Sequence, residues 1–202
     1  MIPQSEFHHA LAVALHAVPD DKPTMPALQC VLIEFITDRE MRMVGTDGER
    51  IVVCSLVLDH LQPAGSSFRL APQAARDMLC DLPVPLCADS TNRVTLCVFG
   101  DTLCASAGEA CATAERLADG LEYPAYRKVL THNTRPAVPR PFDRRYLAEA
   151  LVALEPLAVS VMIDINGLRG PGYIDAVLRG GLECIAAVRV GISEQIPTAV
   201  VG

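Results

Sequence analysis

Five histidines, eight cysteines and 24 acidic side chains are the groups in this 202-residue chain that could do covalent, metal or acid–base chemistry. Their spacing frames none of it. His8, His9, His16, His60 and His132 form no His-x-x-x-His or His-Glu-x-x-His pair, no Gly-x-Ser-x-Gly elbow presents a nucleophile, and no glycine-rich loop could cradle phosphate. Asp20-Asp21 and the carboxylates from Glu34 through Glu40 sit at turns and strand ends, where they read as solvated charges rather than an acid–base pair. The cysteines contain no Cys-x-x-Cys, and most lie inside apolar runs such as Val52-Val53-Cys54 and Leu96-Cys97-Val98. They read as small buried hydrophobes in a reducing cytoplasm, not as zinc ligands or a disulfide framework. The expectation is a protein with no catalytic residue, no metal and no cofactor.

What the chain does offer is basic side chains in one place. Arg127, Lys128, Arg135, Arg140, Arg144 and Arg145 fall within 19 residues that hold one acid, Asp143, in a chain whose net charge is −7. Residues 1–130 carry 17 acids and 10 bases, and residues 131–202 carry seven of each. Composition alone leaves two readings open, a solvated basic linker or a nucleic-acid patch. Half the residues are hydrophobic and a fifth are charged, which excludes wholesale disorder. No uninterrupted run of 18 apolar residues exists, because Glu149, Glu155 and Pro156 break the best candidate, so no membrane span is expected. Glu6, with no Lys or Arg before the first apolar run, does not fit a secretory signal, and the expected location is the cytoplasm.

Stepping along the chain, one unit recurs. Phe7, Ala10, Leu11, Ala14, Leu15 and Val18 recur at steps of three and four, predicting a helix over 6–18, with His9, Val13 and His16 on a second stripe. A second helix opens at Pro72 and carries Ala75, Met78, Leu79 and Leu82. A third opens at Asp143 and carries Leu147, Ala150, Leu151 and Leu154. Each precedes a strand-rich stretch. Strands are expected over 28–36, 41–45 and 50–58, then 93–99, 102–107 and 110–116, then 159–165, 174–178 and 182–190, with turns such as Asp47-Gly48, Gly100-Asp101 and Asn166-Gly167 between them. A helix followed by a short meander cannot cover its own apolar face and must pack beside a neighbour. The expected fold is α+β, three helix-plus-meander copies. Residues 1–130 form one complete domain of two halves (5–62 and 66–130), 131–141 a proline-rich linker, 142–190 a third half-domain and 191–202 a tail.

Three segments in order resemble the bacterial DNA sliding clamp family, the beta subunit of DNA polymerase III. Thr46-Asp47-Gly48-Glu49-Arg50-Ile51 is similar to the family's Thr-Asp-Gly-His-Arg-Leu, and Tyr123-Pro124-Ala125-Tyr126-Arg127-Lys128-Val129 to its Phe-Pro-Asp-Tyr-Arg-Arg-Val. Phe142-Asp143-Arg144-Arg145-Tyr146-Leu147 and the closing Val188-Arg189-Val190 resemble the second half of the last domain. The resemblance implies the DNA-clamp fold, a ring with helices inside and sheets outside. It also implies a replication or repair processivity factor that holds double-stranded DNA without reading sequence and tethers polymerase or repair proteins by short peptides. The alternative is an interaction module that keeps the fold without encircling DNA.

Carried over residue by residue, the implied peptide groove is Thr46, Gly48, Arg50, Ile51, Pro124, Lys128, Val129, Cys184, Ala186 and Val190, and the implied DNA contacts are Arg76, Arg144 and Arg145. Glu49 stands where the family has His, and Ala186-Ala187-Val188 where it has the bulkier Met-Pro-Met, so a shallower pocket is expected. Gln195-Ile196 in the tail loosely resembles a clamp-binding peptide that could occupy the groove. Three half-domains stand where the family has six, and the odd one leaves a helix and a sheet edge without a partner. Burying that face at about 25 cal/mol per Å² of apolar surface favours a homo-oligomer, most simply a two-fold dimer whose third units form one composite domain.

Overall fold

A computed structural model describes residues 1–19, 26–48, 50–59, 65–83, 92–117, 122–128, 147–149, 151–152, 158–165, 172–178 and 183–188. The first strand, β1 (Ile2–Pro3), leads directly into helix α1 (Gln4–His16). Phe7, Ala10, Leu11 and Ala14 are buried at helical spacing, as the periodicity predicts, and Val13 from the second stripe is buried with them. No side chain caps the N-terminus. Instead the Gln4 amide donates to the carbonyl of Pro83 across the domain at 2.9 Å.

Strands β2 (Val31–Phe35), β3 (Glu40–Thr46), β4 (Arg50–Val57) and β5 (Ser67–Leu70) follow, then helix α2 (Pro72–Asp81). Pro72 opens α2 where its missing N–H costs nothing, and Ala75, Met78 and Leu82 face the core. Strands β6 (Arg93–Phe99), β7 (Thr102–Ala107) and β8 (Ala110–Glu115) form a meander, with β1 added antiparallel beside β6. Both helices lie against strands, α1 over β3 and β4 and α2 over β8, and they touch each other. One core results, with Phe7, Leu11, Ile33, Met41, Met43, Leu56, Phe68, Leu70, Met78 and Leu103 at its centre. Each large side chain there is worth roughly 1.5–3 kcal/mol in burial.

Gly45 is required by this packing. A Cβ there would stand 1.8 Å from the Ala14 carbonyl oxygen, so only a glycine lets β3 pass under the end of α1.

Residues 147–149 and 151–152 are helical, and Leu147 and Leu151 pack against the same core. Strands β9 (Ala158–Ile165), β10 (Gly172–Leu178) and β11 (Glu183–Val188) form an antiparallel meander. Strand β11 then pairs with β4, giving a seven-stranded sheet in the order β5-β2-β3-β4-β11-β10-β9 beside the four-stranded sheet β1-β6-β7-β8. The mixed helix and antiparallel-strand architecture agrees with the α+β expectation.

Several expectations need correction. Strands β1 and β5 are additional, since Ser67 begins a strand instead of closing a linker. The third meander is not wholly without a partner, because its β11 edge meets β4 of the same chain. Only Cys30 and Cys54, among the described cysteines of the first 130 residues, are buried; Cys97 and Cys104 are partly exposed, and Cys80 and Cys111 are open. Alternation decides this, since each partly or fully exposed strand cysteine follows or precedes a buried Leu or Ala.

Candidate peptide and nucleic-acid interface

The Thr46–Ile51 segment is the tip of the β3–β4 hairpin. Thr46 is buried; its hydroxyl donates to the Arg50 carbonyl at 2.6 Å and accepts the Gly48 N–H at 3.1 Å. Gly48 adopts φ +94°, the left-handed region that favours glycine, and Asp47 accepts the Arg50 N–H at 2.9 Å. The turn therefore satisfies its own polar groups.

Arg50 reaches away from the turn. Its Nε lies 3.0 Å from Asp47 Oδ2, at an angle that misses hydrogen-bond geometry, while its terminal nitrogens bond to the Glu149 carboxylate and, at 3.2 Å, to the His16 carbonyl. One guanidinium thus ties the hairpin, the end of α1 and the helical residues at 147–149 together. His16, Arg50, Arg76 and Glu149 line a cleft of about 520 Å³ with Leu15 and Leu79.

On the other face of the sheet, Ile51 is buried with Leu32, Val44 and Val53 beneath Tyr126 and Tyr123. Residues 122–128 cross over these strands, ending in a helical turn at Tyr126–Lys128. Tyr126 donates its hydroxyl to Glu34, and Arg127 pairs with the same carboxylate at 3.1 Å. Burial and the bond to Glu34 both push the Tyr126 phenol up. Burial raises Tyr123 as well, and pushes the nearby Cys30 thiol up to about 11. A second cavity, about 510 Å³, is lined by Leu32, Glu34, Arg69, Pro124, Arg127 and Lys128.

The register β4–β11 sets Val188 opposite Arg50, Ala186 opposite Val52 and Cys184 opposite Cys54. The last strand therefore lies beside the hairpin, although the two segments are far apart in sequence. Of the expected groove residues, Thr46, Gly48, Arg50 and Ile51 share one hairpin, Cys184 and Ala186 lie on the adjoining strand, and Pro124 and Lys128 belong to the crossing segment. Val129 and Val190 lie outside the described residues, as do Arg144 and Arg145. Arg76 is exposed on α2, whose other solvent-facing charges are Asp77 and Asp81. Sequence reasoning missed Glu149 and Glu34, which hold Arg50 and Arg127. Neither has a motif, and only the pairing of distant segments finds them.

The paired sheets, with helices packed on them and β11 continuing the sheet of β2 to β5, decide the architecture. The fold is that of the bacterial sliding clamp. A protein of Eubacterium rectale assigned as a DNA polymerase III beta subunit is similar, with a TM-score of 0.73 and 11% identity over 96% of this chain and 65% of that one. The Bacillus subtilis sliding clamp has a TM-score of 0.67 and 14% identity over 94% of this chain and 63% of that one. A Pseudomonas aeruginosa clamp bound to griselimycin has a TM-score of 0.52 and 21% identity over 94% and 49% respectively. The chain thus spans only about half to two thirds of the length of these clamps. No protein-family model and no curated protein matches it.

Among the described residues no group of three His, Cys, Asp or Glu could hold a metal, and no helix is long and apolar enough to cross a membrane.

Proposed function

We propose that this chain is a shortened, clamp-like processivity factor, without chemistry of its own, that tethers a replication or repair protein to double-stranded DNA in the cytoplasm. The observation that carries it is the β4–β11 register, which brings the Thr46–Ile51 hairpin beside the last strand. Two segments that resemble the family's peptide-binding elements thereby become neighbours. A short apolar peptide of a polymerase or repair protein would dock between this hairpin, Pro124 and Lys128, and the end of β11. Residues 142–190 then act as a third half-domain, after a complete domain at 1–130 and a linker at 131–141 and before a tail at 191–202.

DNA would be held without sequence reading, through phosphate contacts from Arg76, Arg144 and Arg145 in a homo-oligomer. One observation favours the second reading, an interaction module that does not encircle DNA. The described solvent-facing surface of α2 sets Arg76 against Asp77 and Asp81, so it presents no positive stripe. Retention on circular against linear DNA separates the two. A closed ring is retained on the circle and lost from linear DNA. Equal behaviour on both leaves the tether and removes the ring, and loss of peptide binding on replacing the exposed Lys128 by Glu, with circular dichroism unchanged, tests the groove independently.

A further inference from the structure

Three thiols share one patch on the four-stranded sheet. Alternation turns Leu96, Leu103, Ala105 and Ala112 into the core and leaves Cys97, Cys104 and Cys111 on the opposite face. Cys97 is the direct cross-strand partner of Cys104. Cys111 pairs with Ser106, one diagonal step from Cys104. The sulfurs of Cys104 and Cys111 lie 3.4 Å apart, in contact, and Cys111 is exposed.

The role that accounts for Cys30 and Cys54, small apolar volume in a core, does not account for these. Thiols that face solvent contribute little burial, whereas two sulfurs in contact on an open surface are positioned to bond. Closing the gap from 3.4 Å to a disulfide's roughly 2.05 Å needs side-chain rotation and a small strand shift. Diagonal partners stand about 7–8 Å apart at Cα, at or beyond the usual disulfide range, so the bond would be strained and easily reduced.

We propose that Cys104 and Cys111 form a reversible dithiol site, oxidised by small-molecule disulfides of the glutathione class. The Cys111 thiolate attacks one sulfur of the small disulfide, that S–S bond breaks, and one small thiolate leaves and takes a proton from solvent. Cys104 then gives its proton to solvent and attacks the Cys111 sulfur, expelling the second small thiolate. Two protein thiols are oxidised and one small disulfide is reduced to two thiols. The order follows from the contact. The Cys104 thiol is held above its ordinary range by its bond to Cys111 and by burial, so Cys111, the more open sulfur, attacks first. The crosslink staples the β7–β8 hairpin at an end of the four-stranded sheet.

The test uses the full chain in graded mixtures of oxidised and reduced glutathione, quenched with N-ethylmaleimide in urea, so that the buried Cys30 and Cys54 react too, and weighed intact. Two of the eight thiols are expected to escape alkylation with no glutathione attached, and to return on reduction. Cleavage after Glu109, which lies between the two cysteines, leaves two fragments joined until reduction. Cys97→Ser retains this crosslink and Cys111→Ser abolishes it. Eight alkylated thiols at every ratio, glutathione persisting on Cys111 without a crosslink, or a crosslink that survives Cys111→Ser would each overturn the proposal.

Discussion

At the scale of single residues, two positions carry more of the architecture than their types suggest. A Cβ at Gly45 meets backbone, the Ala14 carbonyl at 1.8 Å, so neither rotamer change nor a neighbouring side chain can relieve it. Gly45→Ala is expected to cost on the order of 4 kcal/mol or more, or to prevent folding, by soluble yield and urea denaturation. The control is Gly65→Ala, where no atom lies within 4 Å but φ is +79°. That change carries only the left-handed backbone cost, roughly 1–2 kcal/mol. Arg50 is the second position. Its side chain is 13% exposed and Asp47, its near partner, 17%, so truncation leaves a carboxylate poorly solvated, whereas Glu149 is 48% exposed and rehydrates. Arg50→Ala should destabilise by roughly 2 kcal/mol and Glu149→Ala by under about 1, read from denaturation midpoints at unchanged slope.

At the scale of elements, the segment 122–128 behaves as a strap across β2–β4, and its chemistry makes it sensitive to alkali. The phenols of Tyr123 and Tyr126 and the Cys30 thiol are all raised above their ordinary values, chiefly by burial. An acid whose folded-state pKa is raised binds its proton longer folded than unfolded. Its contribution is complete below the unfolded pKa, near 9–10 for these groups, and is lost as pH rises towards the folded value. Stability is therefore expected to be level from pH 7 to about 9 and to fall steadily above it. Tyr126→Phe should flatten part of that fall, because Phe has no proton to lose. Equal slopes for the two proteins between pH 9 and 11 would refute the strap's role.

The same strap marks the boundary of what the residues disclose. Helical spacing and strand alternation are local, so α1, α2 and the strand bounds 93–99 and 102–107 are legible from Phe7-Ala10-Leu11-Ala14 or Leu103-Ala105-Ala107 alone. Strands β1 and β5 are four residues or fewer and are fixed by pairing with β6 and β2, which no local pattern records. In the site, Thr46, Asp47 and Gly48 announce a tight turn by type. The destinations of Arg50 and Arg127, at Glu149 and Glu34, depend on contacts across 99 and 93 residues and have no sequence signature. The cysteines mislead for a related reason: an apolar run suggests burial, while a period-two strand buries only every second residue.

At the scale of the whole molecule, the question is which surfaces remain to be covered. Strand β11 closes on β4, so the junction between the β2–β5 strands and the last meander is made within one chain. Among the described residues β5 and β9 end the seven-stranded sheet and β1 and β8 the four-stranded one, and a bridge from Leu70 to Arg116 joins the β5 and β8 ends, which leaves β9 as the long end strand. An eight-residue edge of sequence Ala-Val-Ser-Val-Met-Ile-Asp-Ile has no charge before its seventh position, and such an edge invites pairing with another chain. A two-fold axis beside β9 would join two such edges antiparallel. The expected mass in solution by light scattering is therefore at least twice the 21.7 kDa of the chain. Val161→Lys, placed on β9, should shift that mass towards one chain while leaving far-ultraviolet circular dichroism unchanged. A single-chain mass for the unmodified protein at micromolar concentration would remove the composite domain, and with it any closed ring, leaving a monomeric tether as the reading that the β4–β11 junction still supports.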